Sequence, residues 1–221
     1  MGDLGDNPLI DPAPSRSPLK ITTLPNVEIS PKLSDPFLQE IDQALSVIPA
    51  WVLTTVEQHG DSLKLSPQLK ELLPELSGKP IPGDPSGRIF DQLPGLYHRE
   101  NKIIAIFESV TDEDFPFRSI KNNRASGVLR HEMGHALDRA LGGGSDQPAF
   151  RRAYDQDIAE INDEALIDNY AYYLTRKGRS ELFAELFAVL QGGGADEKTR
   201  NIKQVFPATV VALQALLEKK P

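Results

Sequence analysis

The sequence predicts an α+β fold in which a small mixed sheet precedes a mostly helical C-terminal half. Hydrophobic residues make up 39% and charged residues 25%, as in ordinary globular proteins. The strand-like segments all lie before residue 110, and apolar residues recur at helical spacing after residue 119. Because strands and helices are grouped rather than alternating, we expect segregated elements rather than repeated β-α units. A chain of 221 residues is long enough for one domain with its own core.

Composition and charge exclude several classes of protein. The net charge is −8, and an acidic surface repels phosphate backbones, so we expect no nucleic-acid partner. The absence of cysteine excludes disulfides and a cysteine nucleophile. No apolar run approaches 18 residues, which excludes a transmembrane helix. The segment Met1–Lys20 has no apolar core of the kind found in signal peptides, so none is expected in it.

Proline is concentrated near the N-terminus: seven of the 18 prolines lie in the first 36 residues. Residues 1–33 are therefore predicted to be a proline-rich, extended arm, and residues 34–221 to be the folded domain. The apolar residues of the arm that can dock on the domain are Ile21, Leu24, Val27 and Ile29.

The first helix is expected to begin at Asp35, an N-cap followed by proline, and to end before Pro49. β-Branched, aromatic or alternating residues then favour strands, which are separated by loops rich in glycine and proline. The predicted strands are Trp51–Glu57, Leu63–Leu65 and Asn101–Ser109, with a loop over residues 77–95.

The second half reads as a series of helices separated by glycine-rich stops. The longest, Ala125–Leu141, ends at three consecutive glycines. The helices that follow are one capped by Asp146, a segment Ala165–Thr175, one capped by Ser180 that runs from Glu181 to Leu190, and one opened by Pro207.

The Ala125–Leu141 helix contains the motif H-E-M-G-H, with His131 and His135 four residues apart. Residues at this spacing share one helix face, so both imidazoles can reach one metal ion. Glu132 lies close enough to take a proton from a metal-bound water without ligating the metal. This is the H-E-x-x-H pattern of zinc hydrolases, in which zinc acts as a Lewis acid and lowers the pKa of its bound water to about 7.

A catalytic zinc site needs a third protein ligand and an open position. Asp138 and Leu141 stand where a metzincin has glycine and histidine, so that class is excluded. Two downstream segments have carboxylates four residues apart, so that the first can bind zinc and the second can orient a histidine. They are Glu164–Asp168, with the spacing of thermolysin-like enzymes, and Glu181–Glu185. Spacing alone leaves both open.

A resemblance favours the second segment. The sequences H-E-M-G-H-A-L-D (131–138) and S-E-L-F-A-E-L-F (180–187) resemble the protease domain of anthrax lethal factor and the related secreted Pro-Pro endopeptidases. The similarity extends over roughly residues 95–219. It implies a zincin-like α+β metalloprotease domain whose active-site helix carries H-E-x-x-H. The roles that it implies are zinc ligation by His131, His135 and Glu181, general base catalysis by Glu132, and support of a ligand histidine by Glu185.

The same resemblance implies a tyrosine that hydrogen-bonds the oxyanion or the leaving group, about seven residues before the ligand Glu. Position 174 is leucine, and Tyr173 stands eight residues before Glu181, so one inserted residue brings Tyr173 into register. Tyr172 is the alternative.

The resemblance therefore predicts a zinc-dependent endopeptidase that hydrolyses internal bonds of an extended peptide or protein, and it favours secretion. We expect the substrate to pair with an edge strand at Lys102–Glu108. Two alternatives remain: a thermolysin-type peptidase that uses Glu164, and a non-catalytic binding or translocation module of the same fold.

Overall fold

The structure is a computed structural model that describes residues 21, 26–84, 86–115, 118–175, 178–193 and 197–218, the last segment up to residue 200 by its backbone only. The strands are β1 Val27–Ile29, β2 Ser62–Ser66, β3 Gly95–His98, β4 Ile103–Phe107, β5 Ser109–Thr111 and β6 Ser119–Lys121. The helices are α1 Asp35–Ser46, α2 Ala50–Gln58, α3 Leu69–Leu72, α4 Ala125–Ala140, α5 Pro148–Glu160, α6 Glu164–Tyr170, α7 Gly178–Leu190, α8 Glu197–Val205 and α9 Pro207–Glu218. The predicted α+β class is confirmed.

A four-stranded mixed sheet forms one layer, in the order β1-β2-β4-β3. Strands β1, β2 and β4 run parallel, and β3 pairs antiparallel with β4. Every residue of β4 is buried, as expected for a central strand that is covered on both faces. Strands β5 and β6 form a separate two-stranded hairpin.

The expectation of an edge strand at Lys102–Glu108 is wrong, because β4 lies between β2 and β3. Among the described strands the edges are β1 and β3, and β3 begins at Gly95, the last residue of the stretch predicted to be a loop. Its first residue, Gly95, packs so closely that an added Cβ would lie 2.6 Å from Cγ1 of Val128 on α4. Glycine has a low strand propensity, so it argues against a strand at this position. The close contact with the helix nevertheless requires it.

The strand predicted at Trp51–Glu57 is also wrong, since these residues belong to α2. Val52 and Val56, one helical turn apart, are both buried, whereas Thr54 between them is exposed. Burial of this one face in the core outweighs the β-propensity of the valines and threonines.

Several helix ends differ from the predicted caps. Ser34, rather than Asp35, is the N-cap of α1, and its hydroxyl accepts a hydrogen bond from the Phe37 N–H. Asp146 lies in a 3-10 turn before α5, and Ser180 lies inside the first turn of α7. Boundaries of this kind depend on loop contacts that local sequence does not specify.

Part of the predicted N-terminal arm is integrated with the domain. Val27–Ile29 form strand β1, and Ile21 is fully buried, with its N–H donating to Oδ1 of Asp42 at 2.8 Å. Residues 1–20 and 22–25, which include Leu24, lie outside the described residues. Within the part of the chain that is described, no helix combines the length and the apolar character that crossing a membrane requires.

Helix α4 is the centre of the domain and packs on the sheet, on α1 and α2, and most extensively on α7. The contact between α4 and α7 is closest at Gly134, where an added Cβ would lie 2.7 Å from Cα of Ala184. Two small residues facing each other allow the two helix backbones to approach more closely than larger side chains would permit.

We predict that Gly134→Ala destabilises the protein, because the new methyl group meets backbone atoms of α7 that cannot move independently. Overpacking of this kind costs about 1–3 kcal/mol and should lower Tm by roughly 3–10 °C. The matched control is Gly127→Ala on the same helix, where nothing lies within 4 Å of the added Cβ. Since alanine is the better helix former, this variant should gain up to about 1 kcal/mol. Equal shifts in Tm for both variants would contradict the close contact.

Candidate metal centre

The candidate metal centre lies on the face of α4 that meets α7. His131 and His135 are one turn apart on this face, with ring centroids 4.8 Å apart in an edge-to-face arrangement. His135 is buried, and His131 is half-buried. The helical spacing of the motif thus places both imidazoles together, as the sequence predicts.

Glu181, in the first turn of α7, completes a group of three donors. Its Oε2 lies 3.3 Å from Nε2 of His135 and 3.6 Å from Nε2 of His131. One ligand atom from each residue lies within 4.8 Å of the other two. A tetrahedral zinc ion with bonds of about 2.0–2.1 Å requires donor atoms roughly 3.3 Å apart. Two imidazole nitrogens and one carboxylate oxygen are donors that suit zinc, and the two distances from Glu181 to the histidines are close to this spacing.

Glu185 supports the first histidine from behind. Its Oε2 lies 2.9 Å from Nδ1 of His131, which leaves Nε2 of the same ring directed toward Glu181. A carboxylate in this position fixes the orientation of a ligand imidazole and increases its basicity. For His135, the buried Nδ1 has no hydrogen-bond partner among the described residues.

Opposite charges across the site shift the pKa values of its members. Burial lowers the pKa of His131, but hydrogen bonds to Glu181 and Glu185 and the charge of Glu132 outweigh it and raise this pKa to about 10. Burial raises the pKa of Glu181, yet its contacts with the two histidines hold it well below the usual range. The site therefore favours positive charge between its carboxylates, whether a proton or a metal ion carries it.

Glu132 and Tyr172 flank the three donors. Glu132 is half-buried, and its charge acts on both His131 and Tyr172. Partial burial, the charge of Glu181 and a side-chain hydrogen bond to it, and the charge of Glu132 raise the pKa of Tyr172 to about 12. Tyr172 therefore remains a hydrogen-bond donor over the whole physiological pH range, with its hydroxyl beside the carboxylate of Glu181.

Tyr173 has different surroundings. Its ring packs against the main core and lies 6.4 Å, between centroids, from the ring of Phe206. Its carbonyl oxygen accepts a hydrogen bond of 2.5 Å from the hydroxyl of Tyr154, which holds this turn on α5. Tyr172 thus interacts with Glu181, while the ring of Tyr173 packs on the core.

The competing carboxylate pair lies elsewhere. Glu164 and Asp168 are exposed on α6, and neither belongs to the three-residue group of donors found in the described part of the chain. Of the two segments that spacing left open, Glu181–Glu185 is the one that the structure brings to His131 and His135.

The sequence analysis assigned no role in the site to two further residues. Gly134 allows the close approach of α7, and Asp138 accepts hydrogen bonds from Ser145 and Ser180. Both residues occur in the segment H-E-M-G-H-A-L-D. Their place in this segment is the sequence signal. Their contacts with Ala184 and Ser180, which lie on another helix, are visible only in the structure.

Comparisons with known proteins agree with this architecture. No protein-family model and no curated protein matches the sequence. Among solved structures, the Pro-Pro endopeptidase (PPEP-2) from Paenibacillus alvei is similar, with a TM-score of 0.62 and 21% sequence identity. The match covers 89% of this chain and 98% of that chain. The expected resemblance to Pro-Pro endopeptidases is therefore confirmed at the level of the fold.

We predict that the purified protein holds one zinc ion and that Glu181→Ala loses it, because two imidazoles without the carboxylate leave an incomplete ligand set. Elemental mass spectrometry after dialysis measures the metal content. Glu164→Ala, which removes an exposed carboxylate outside the site, is the matched control and should retain the metal. Loss of zinc from Glu164→Ala but not from Glu181→Ala would point to the thermolysin-type site instead.

Proposed function

We propose that this protein is a zinc-dependent endopeptidase. The single observation that carries the proposal is the clustering of His131, His135 and Glu181, with the carboxylate of Glu132 beside them. The shared fold with a protein described as a Pro-Pro endopeptidase supports it. When bound, zinc supplies Lewis acidity, which makes a water molecule nucleophilic at neutral pH and polarises the scissile carbonyl.

Glu132 acts as the general base. It follows His131 directly on α4, so that its carboxylate lies at the site without being one of the three donors. In the reaction it accepts the proton of the attacking water and passes it to the leaving amine. Glu185 holds His131 in the orientation in which Nε2 faces the metal position.

Tyr172 donates a hydrogen bond to the charge that develops on the carbonyl oxygen or leaving group. Tyr172 is 59% exposed as a residue, so a substrate can reach it. Its hydroxyl interacts with Glu181, so it is within reach of the reacting centre. A donor held in place before the reaction stabilises the transition state more than the ground state.

An extended peptide is the substrate that the architecture suits. Strand β3 pairs with β4 along one side only, so its other side is the edge of the sheet within the described residues. The first residue of β3, Gly95, packs on α4 at Val128, three residues before His131. A peptide added as a strand along β3 would present its backbone carbonyls to the metal centre in a regular order.

We predict that Glu132→Gln abolishes peptide cleavage and keeps the zinc, because it removes the base but no ligand. The loss in kcat should be at least about 100-fold. The assay is mass spectrometric detection of products from a peptide library, with zinc content measured in the same samples. Glu100→Gln is the control: it makes the same substitution at an exposed residue in the turn between β3 and β4, and this variant should cleave normally. Undiminished cleavage by zinc-loaded Glu132→Gln would refute the mechanism, and no cleavage by the zinc-loaded wild type would favour a binding module.

We also predict that Tyr172→Phe lowers kcat by about 100-fold with little change in zinc content, because only a transition-state donor is lost. The neighbouring variant Tyr173→Phe removes the same group from a ring that packs on the core, and it should retain most of the activity. The reverse ranking, measured on one peptide substrate, would assign the catalytic role to Tyr173.

A further inference from the structure

Asp138 is a buried carboxyl group that the proposed reaction does not use. It follows His135 by three residues on α4, and it is 4% exposed. Its Oδ1 accepts a hydrogen bond from the Ser145 N–H at 2.7 Å, and its Oδ2 accepts from the Ser145 hydroxyl at 2.9 Å. A third bond, of 3.0 Å, comes from the hydroxyl of Ser180 to Oδ2. Such a group is costly to bury unless its acceptors are satisfied, so its position is well determined.

The third hydrogen bond connects the two helices of the metal centre. Ser180 lies in the first turn of α7 and directly precedes Glu181. His131, His135 and Asp138 occupy positions i, i+4 and i+7 of α4, which lie on one helix face. The face of α4 that carries His131 and His135 therefore also binds, through Asp138, the first turn of α7, which carries Glu181.

The contact at Gly134 and the Asp138–Ser180 hydrogen bond determine different features of how α7 packs on α4. Close packing of Gly134 on Ala184 determines how near the two helices lie. This packing is less directional than a hydrogen bond, so it constrains the position of Ser180 and Glu181 along α4 less tightly. The hydrogen bond is directional, so it fixes the position of the first turn of α7 along α4, at the end opposite the contact between Glu185 and His131, and with it the height of Glu181 relative to the imidazoles.

We propose that Asp138 is a positioning residue for the metal centre, which acts through Ser180 to hold Glu181 in register with His131 and His135. The inference rests on the proposed metal site but not on peptidase activity. A shift of even a few tenths of an ångström in Glu181 would disturb the 3.3 Å spacing to His135. Supporting residues of this kind change metal affinity by about 10–100-fold when they are removed.

The experiment compares Ser180→Ala with Ser145→Ala in the full chain. Each variant removes one hydroxyl hydrogen bond from the same carboxyl oxygen, but only Ser180 leads to Glu181. Zinc affinity is measured by competition with a chromophoric chelator, and Tm is measured on the metal-free protein. Ser180→Ala should weaken zinc binding about tenfold, whereas Ser145→Ala should leave it within about twofold at a similar loss of Tm. Ser180→Thr, which restores the hydroxyl, should regain most of the affinity.

Equal zinc affinity in Ser180→Ala and the wild type would overturn the positioning role and leave the proposed metal site intact. An equal loss of affinity in both alanine variants would also overturn it, since the effect would then be general destabilisation. A wild type that binds no zinc in the same assay would refute the metal site itself, so the two failures are distinguishable.

Discussion

The candidate metal centre depends on the close approach of α4 and α7 at Gly134 and Ala184. A glutamate side chain is short, so Glu181 can reach both imidazoles only if its helix lies against the helix that carries them. A larger side chain at either small position would separate the backbones and move Glu181 away from His131 and His135. The spacings of 3.3 and 3.6 Å are thus a consequence of packing in the core as much as of the motif.

Helix α7 shows how the core and the chemistry share one element. Most of its side chains are buried and apolar, which is the pattern of a helix surrounded by the core. Its two carboxylates, Glu181 and Glu185, break this pattern, and both contact His131. Burying them without partners would be expensive, and the histidines of α4 offset that cost. Local exceptions to an otherwise consistent pattern are expected at functional sites.

The errors of sequence-based prediction have a common physical cause. The residues of α2 have β-propensity, and β3 begins with a glycine, so local preference indicates the wrong structure in both places. In each case the deciding contact is distant in sequence: Val52 and Val56 are buried in the core, and Gly95 lies against Val128. Propensities are small beside such burial, and the edge strand of the sheet therefore became visible only in three dimensions.

The sequence by itself determined the parts that depend on spacing within one helix. The pairing of His131 with His135 follows from the helical repeat, and so does the common face of Glu181 and Glu185. Spacing left open which carboxylate meets the histidines, and a resemblance favoured Glu181. The contact itself, and the place of β4 inside the sheet, were decided only by the tertiary structure. These questions concern contacts between segments tens of residues apart, such as His131 with Glu185, and no local periodicity encodes them. Close packing of the core selects one arrangement among those that local patterns leave open.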